Sequence, residues 1–261
     1  MMRFARTMQL IGEDGLSRLQ NAHVAIFGLG AVGSYVLEAL ARAGVGQLTL
    51  FDHDTISHSN INRQLLALES TVGRNKADVA KARVLDINPA CVVDARVQFV
   101  DGDNVSSLMD PHFDAVVDAI DGVNSKVNLI VAAVEAGIPI VASMGAAAKL
   151  DPSKIKAADI SKSFMCPLAQ IIRKRLRRRG IAKGVRCVFS TEAAQNKNLP
   201  VIEEAPEEGR SGRPREPIGS ISYLTGLFGL FVASEVIKLL LTPVDNIPPR
   251  EDSSANTDLT H

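Results

Sequence analysis

The stretch HVAIFGLGAVG, His23 to Gly33, decides the fold. His23 to Phe27 is an apolar run of strand length that stops at glycine, the pattern of a strand buried in a sheet. Residues 28–33, GLGAVG, fit G-x-G-x-x-G, and Val32 to Ala43 carries good helix formers up to Gly44, a residue suited to a C-terminal cap. A strand, a glycine turn and a helix in that order form the context in which this motif binds a nucleotide. Glycines let the backbone approach phosphate oxygens, and the helix amino terminus adds oriented N–H groups with partial positive charge. Asp52, roughly twenty residues further on at the tip of a second strand (Gln47 to Phe51), is placed to accept hydrogen bonds from ribose hydroxyls. Gly28, Gly30, Ala31, Gly33, Asp52 and Asp54 are therefore the first candidate cofactor-binding residues. A bare strand-to-helix turn would need the glycines but not the acid.

Outward from this motif, strands and helices keep alternating. Gly12 to Gln20 reads as a short helix before the first strand, and Lys76 to Ile87 as a helix that stops before Pro89. Cys91 to Phe99, Ala115 to Asp118 and Pro139 to Ser143 read as strands, with Asn124 to Ala136 as a helix between the last two. This alternation predicts βαβ units and right-handed crossovers. The expected fold is α/β, a Rossmann-like, doubly wound and mainly parallel sheet. Ile155 to Ile160 and Val185 to Ser190 are expected as antiparallel additions in the carboxyl half, with Pro167 to Arg179 as a basic helix. Residues 1–248 read as one domain, 195–217 as a mobile loop without apolar periodicity, and 249–261 as a disordered polar tail.

Composition narrows the class. The chain has 261 residues, 46% hydrophobic, with 29 Lys+Arg against 29 Asp+Glu. That balance gives no overall pull toward nucleic acid, so any such attraction needs a local cluster. Three cysteines (Cys91, Cys166, Cys187) without a CxxC pair make neither a disulfide framework nor a zinc clip, which points to a reducing cytoplasm. Ile221 to Leu241 is nearly long enough and apolar enough to span a bilayer, but Glu235, Lys238 and several small residues make it a buried helix instead.

NAD is the default ligand of the glycine fingerprint, yet the next residues argue against a dehydrogenase. After Asp52 and Asp54 come SNINRQ (59–64) and then Lys76, thirteen residues past Arg63. Hydride transfer has no use for this Arg and Lys. A reaction that brings a carboxylate up to a triphosphate does, because both reactants are anions and their approach is opposed until cations neutralise them. Asp121 follows a strand on the carboxyl edge of the sheet, where ligands bind in open α/β folds, and a carboxylate there suits Mg²⁺.

As a set these residues resemble the adenylating superfamily that includes ubiquitin-activating enzymes and the bacterial thiamin- and molybdopterin-biosynthesis adenylyltransferases. The likeness rests on Arg3-Phe4-Ala5-Arg6, the glycine loop with Ala31 where a third glycine is usual, Asp52 and Asp54, Ser59 to Gln64, Lys76 and Asp121. It implies ATP as cofactor, with phosphates at Gly30 and Ala31, ribose at Asp52, and Asn60, Arg63 and Lys76 on the phosphates. It also implies Mg²⁺ on Asp121, a homodimer, and Arg6 reaching into the partner's nucleotide site. Arg63, Lys76, Asp121 and Arg6 are thus the candidate catalytic residues. A positive φ at Ala31 would make its departure from glycine costly.

The carboxyl half separates branches of this superfamily. Members that activate ubiquitin-like or sulfur-carrier proteins often hold zinc on CxxC pairs and carry a catalytic cysteine. This chain has no CxxC, and Cys187 sits in an apolar run where a thiol is usually inert. Arg173, Lys174, Arg175, Arg177, Arg178 and Arg179 crowd one helix, and no acid lies between Ile160 and Thr191. Such a cluster suits a phosphate backbone, although a merely solvated basic face has the same composition. Arg3 to Gly12, NPAC (88–91) and VFSTE (188–192) look like the tRNA threonylcarbamoyladenosine dehydratases. That likeness implies adenylation of the threonyl carboxylate on a modified adenosine beside the anticodon, then ring closure by a neighbouring group of the same side chain. A tethered nucleophile has no need of a thiol relay. An activator of a carrier protein with a diglycine terminus is the alternative, and a sulfur-relay partner stays open. An NAD oxidoreductase and a non-catalytic scaffold are more distant readings.

Overall fold

The structure, a computed structural model, describes residues 2–194 and 218–242. The loop expected at 195–217 and the tail expected from 249 lie outside the described residues. Strands β1 (His23–Phe27), β2 (Gln47–Phe51), β3 (Val92–Arg96), β4 (Ala115–Asp118), β5 (Ile140–Ser143), β6 (Ile155–Asp159) and β7 (Arg186–Ser190) form one sheet. Their order is β3-β2-β1-β4-β5-β7-β6. Every pairing is parallel up to β5 with β7, and only β6 runs antiparallel, against β7. Register aligns the carboxyl ends that matter: Phe27 pairs with Phe51 on one side and Asp118 on the other.

Helices cover both faces, as a mainly parallel sheet requires. On one face lie α2 (Gly33–Ala43), α3 (Lys76–Ile87) and α6 (Ser222–Leu241); on the other lie α4 (Val123–Glu135) and α5 (Pro167–Arg177). The pleat of β1 shows why both cores form. Val24 and Ile26 point into the layer with Leu37, Leu40 and Phe228, while Ala25 and Phe27 point into the layer with Ile130, Ile172 and Phe189. The switch in direction between β1 and β4 puts a crevice at the carboxyl edge of the sheet.

Three details differ from the sequence reading. Of the two expected antiparallel additions only β6 is antiparallel; β7 returns through α5 and joins β5 in parallel, as a crossover connection allows. The first helix, α1, runs from Ala5 to Asn21 instead of beginning at Gly12. Gly12 adopts φ +77, so the helix is kinked there and its apolar period is broken between the two halves. Strand β3 spans only Val92–Arg96 within the expected Cys91 to Phe99. It is the edge strand, and its single partner runs out at Phe51.

Helix α6 is a core element. Leu224, Phe228, Val232 and Val236 are fully buried, and a Cβ at Gly229 would stand 2.5 Å from the Val32 carbonyl at the start of α2. The helix is long and apolar enough to cross a membrane, yet half of that stretch is buried within the protein.

Candidate active site

The glycine loop is held against β4. Gly28 adopts φ +90, and a Cβ there would lie 2.7 Å from the Ala119 carbonyl, so only glycine fits without strain. A Cβ at Gly33 would meet the Gly28 carbonyl at 1.8 Å, which explains the third glycine of the motif as a packing need. Gly30 is different: its Cβ position is open except for the Gln64 amide at 3.8 Å, so this part of the loop faces the crevice. Ala31 has no positive φ, and its replacement of the usual glycine carries no strain.

Asp52 sits at the tip of β2 and is buried. Its carboxylate accepts the Leu29 N–H of the glycine loop at 2.6 Å and the Asp54 N–H at 2.9 Å. Burial pushes the Asp52 carboxyl above its ordinary value, with Lys76 and the two backbone donors opposing the rise. Lys76 opens α3 and is only 4% exposed. Its Nζ lies 2.7 Å from Asp54 Oδ2, and its N–H donates to the Asp54 carbonyl. His53 Nε2 lies 3.2 Å from the other Asp54 oxygen. A buried ammonium is therefore fixed at the mouth of the glycine loop by a partner that is itself partly solvated.

The SNINRQ segment folds as a 3-10 turn, His58–Asn60, followed by a tight loop. Asn60 is buried and shapes this turn, its Oδ1 accepting the Ser57 N–H. Arg63 is partly exposed and donates to the Ser59 carbonyl at 2.7 Å and to Asn62 Oδ1 at 2.9 Å. The loop is pinned to the glycine turn through Ser34, whose hydroxyl donates to the Gly30 carbonyl and accepts the Leu65 N–H. Asp121 is exposed just past β4.

The structure thus gathers the glycine loop, Asp52, Asp54, Asn60, Arg63, Lys76 and Asp121 on one edge of the sheet. It does not bring Arg6 there. Phe4 packs beside Gly44, beyond the far end of α2, so Arg6 lies toward the amino edge and away from the glycine loop of its own chain. The six basic residues of α5 and its end divide. Arg173 is tied to the Ser163 carbonyl and hydroxyl, and Arg175 to Asn124; Lys174, Arg177, Arg178 and Arg179 project into solvent. All three thiols are buried, and burial pushes Cys91 up to about 11 and Cys187 up to about 12, far from a thiolate at neutral pH.

Two residues escaped the sequence reading. Gln64 is buried beside Gly30, and its Oε1 is, among the described residues, the one buried side-chain polar atom without a hydrogen-bond partner. An acceptor left so costs free energy unless a ligand supplies a donor. It stands in the SNINRQ motif, so the signal was present but was spent on its neighbour Arg63. Lys126 is 1% exposed on α4 and bridges Asp118 Oδ2 at 2.8 Å and the Ser143 carbonyl at 2.9 Å. Burial pushes the Asp118 carboxyl up, and Lys126 opposes it. This buried pair ties the ends of β4 and β5 together, with Asp118 three residues before Asp121 in the chain. A lone lysine inside the apolar sequence of α4 was its only trace.

Fold and site together define a doubly wound α/β protein whose sheet-edge crevice sets a fixed lysine and a partly exposed arginine beside a glycine loop. The ThiF family profile matches residues 4–260, and the chain belongs to the ThiF family. It is 39% identical over 244 residues to the tRNA threonylcarbamoyladenosine dehydratase of Bacillus subtilis, covering 93% of this chain and 96% of that protein. Among solved structures it is similar to Escherichia coli tRNA N6-threonylcarbamoyladenosine dehydratase, TcdA, in complex with ATP, with TM-score 0.81, 36% identity, and coverage of 92% and 94% of the two chains. The molybdopterin-synthase adenylyltransferase of Salmonella typhimurium is 37% identical, but over 153 residues, 58% of this chain and 60% of that protein.

Proposed function

We propose that this chain is an ATP-dependent tRNA threonylcarbamoyladenosine dehydratase. The observation that carries the reading is the Lys76–Asp54 pair beside a glycine loop whose neighbour Gln64 keeps an unmet acceptor, in a chain that matches a dehydratase along nearly its whole length. The molybdopterin-synthase adenylyltransferase matches only 58% of this chain, and the buried Cys166 and Cys187 offer no thiol relay.

In this reading Gly30 and Ala31 present backbone N–H groups to the phosphates, and Asp52 turns its carboxylate to the ribose. Lys76 and Arg63 neutralise the phosphates, so that the threonyl carboxylate can approach the α-phosphorus despite its own charge. Asn60 holds the loop that carries Arg63. Asp121 is an exposed oxygen donor of the type that holds Mg²⁺, which when bound would neutralise phosphate oxygens. The carboxylate oxygen attacks the α-phosphorus and pyrophosphate leaves. A nucleophilic group of the same side chain then attacks the acyl carbon, loses its proton and expels AMP. The carboxylate oxygen departs with AMP, so the nucleoside loses one water in total. No strong general base is required for the first step, because the attacking carboxylate is already ionised.

Arg6, remote from the glycine loop of its own chain, serves a site only in a homodimer, where it reaches the partner's nucleotide. One experiment tests the reading: tRNA carrying threonylcarbamoyladenosine is incubated with the protein, Mg²⁺ and ATP, and its nucleosides are weighed. Loss of one water with AMP formation supports it. AMP attached instead to a diglycine-ended carrier, with the tRNA unchanged, would select the alternative.

A further inference from the structure

A cleft of about 460 Å³ opens between α4 and α5, lined by Asn124, Val127, Asn128, Arg175, Arg178 and Arg179. Its volume is in the range that holds a small ligand or one segment of a larger one. Arg175, Arg178 and Arg179 share one face at i, i+3 and i+4 spacing, whereas Lys174 and Arg177 do not line it. Arg178 and Arg179 form no ion pair among the described residues, and Arg175 spends one N–H on Asn124 Oδ1. Among the described residues that line the cleft none is an acid; Glu135 lines a smaller pocket that shares Asn128 and Arg179 with it. Among the described residues no aromatic ring lines the cleft, which offers hydrogen bonds and charge. Asn124 stands three residues after Asp121, so the cleft begins at the end of α4 that borders the active-site edge.

We propose that this cleft seats a backbone phosphate of the tRNA strand, between the guanidinium groups of Arg178 and Arg179 and the amide of Asn128. The proposal rests on the tRNA reading and narrows it: the basic helix acts through one cleft shared with α4 and not as a diffuse field. Three positive charges without a carboxylate among them, with two amides on the opposite wall, complement a phosphodiester by both charge and donor supply.

The test measures binding of an unmodified tRNA transcript to the full chain over a range of salt. Arg178→Glu and Arg179→Glu are expected to weaken binding about tenfold each, and to reduce the salt slope by about 0.7–0.9 for each phosphate no longer neutralised. Asn128→Asp, which keeps the shape of the wall but puts a negative charge into it, is expected to weaken binding by a similar factor. Lys174→Glu, an equal charge change on the same helix at an exposed residue that does not line the cleft, should cost less than about threefold, as a charge that stays in water is screened by salt. An unchanged thermal midpoint and ATP affinity show that each variant is folded. Equal losses for Lys174→Glu and Arg178→Glu, or no loss for Asn128→Asp, would overturn the cleft. If the transcript binds with this pattern but modified tRNA is never dehydrated, the catalytic reading fails and the cleft stands. If dehydration proceeds while cleft variants bind tRNA normally, the cleft fails alone.

Discussion

The two charged regions of this molecule are built on opposite plans. At the glycine-loop edge two buried cations each have an acid: Lys76 lies 2.7 Å from Asp54, and Lys126 lies 2.8 Å from Asp118. Around the cleft between α4 and α5, Arg178 and Arg179 have none among the described residues. Compensated charge is stiff charge, because removing one partner strands the other in a poorly solvated place. Uncompensated exposed charge costs little to keep in water and is available to an outside anion. The first plan suits a site that must be in place before a small triphosphate arrives, and the second suits a long polyanion.

Four substitutions would break or sharpen that contrast. The largest effect should follow Lys126→Met, which leaves Asp118 fully buried without its partner. A loss of about 3–5 kcal/mol is expected in denaturant unfolding; a loss below about 1 kcal/mol would mean that the pair does not hold β4 to β5. Next comes Lys76→Ala. Asp54 keeps solvent access, so the fold should survive, while pyrophosphate release with modified tRNA should fall on the order of a hundredfold to a thousandfold. A rate near that of the wild type would remove Lys76 from the phosphate site. Arg178→Glu should act only on tRNA, by about tenfold in affinity, without changing stability.

The smallest effect belongs to the ion pairs of Arg186, which follows the basic run in sequence but sits on the compensated side of the comparison. It and Lys238 hold Glu235 of α6, tying that helix to β7. Burial pushes the Glu235 carboxyl up, but hydrogen bonds from Arg186 and Lys238 outweigh it and hold it below its ordinary value. A depressed carboxylate contributes stability above its unfolded-state pKa and loses it as pH falls through the folded value. Glu235→Gln should therefore lower the thermal midpoint by a degree or two at neutral pH and make no difference in acid. An equal deficit at both pH values would show that packing, and not charge, is what the substitution disturbs.

Much of the site was legible because its residues sit in short, ordered motifs. The glycine loop, Asp52, Asp54, Lys76 and Asp121 fall at or just past strand ends or at helix starts that the apolar pattern had already located, and Arg63 stands out through its place in SNINRQ. The parallel sheet followed from alternation, and the antiparallel β6 from its place after the last βαβ unit. What escaped is set by tertiary contact. Lys126 looks like a surface residue until β4 and β5 close over it, and Gln64 looks like a loop amide until the glycine turn buries it. The division of the basic cluster was likewise hidden. Six cations among seven consecutive residues read as one patch, and only the tertiary packing separates Arg178 and Arg179 from Arg173, which is spent on Ser163. The start of α1 was missed because Gly12 interrupts the period that sequence reading depends on.

In the proposed reaction this crevice adenylates a carboxylate carried on tRNA. The most direct measurement follows the modified nucleoside by mass after incubation with protein, Mg²⁺ and ATP, alongside the nucleotide products. That reaction predicts that each nucleoside converted loses the mass of one water while one AMP and one pyrophosphate form from ATP, and that Lys76→Ala gives no conversion. An unchanged nucleoside mass with ATP left intact would contradict it.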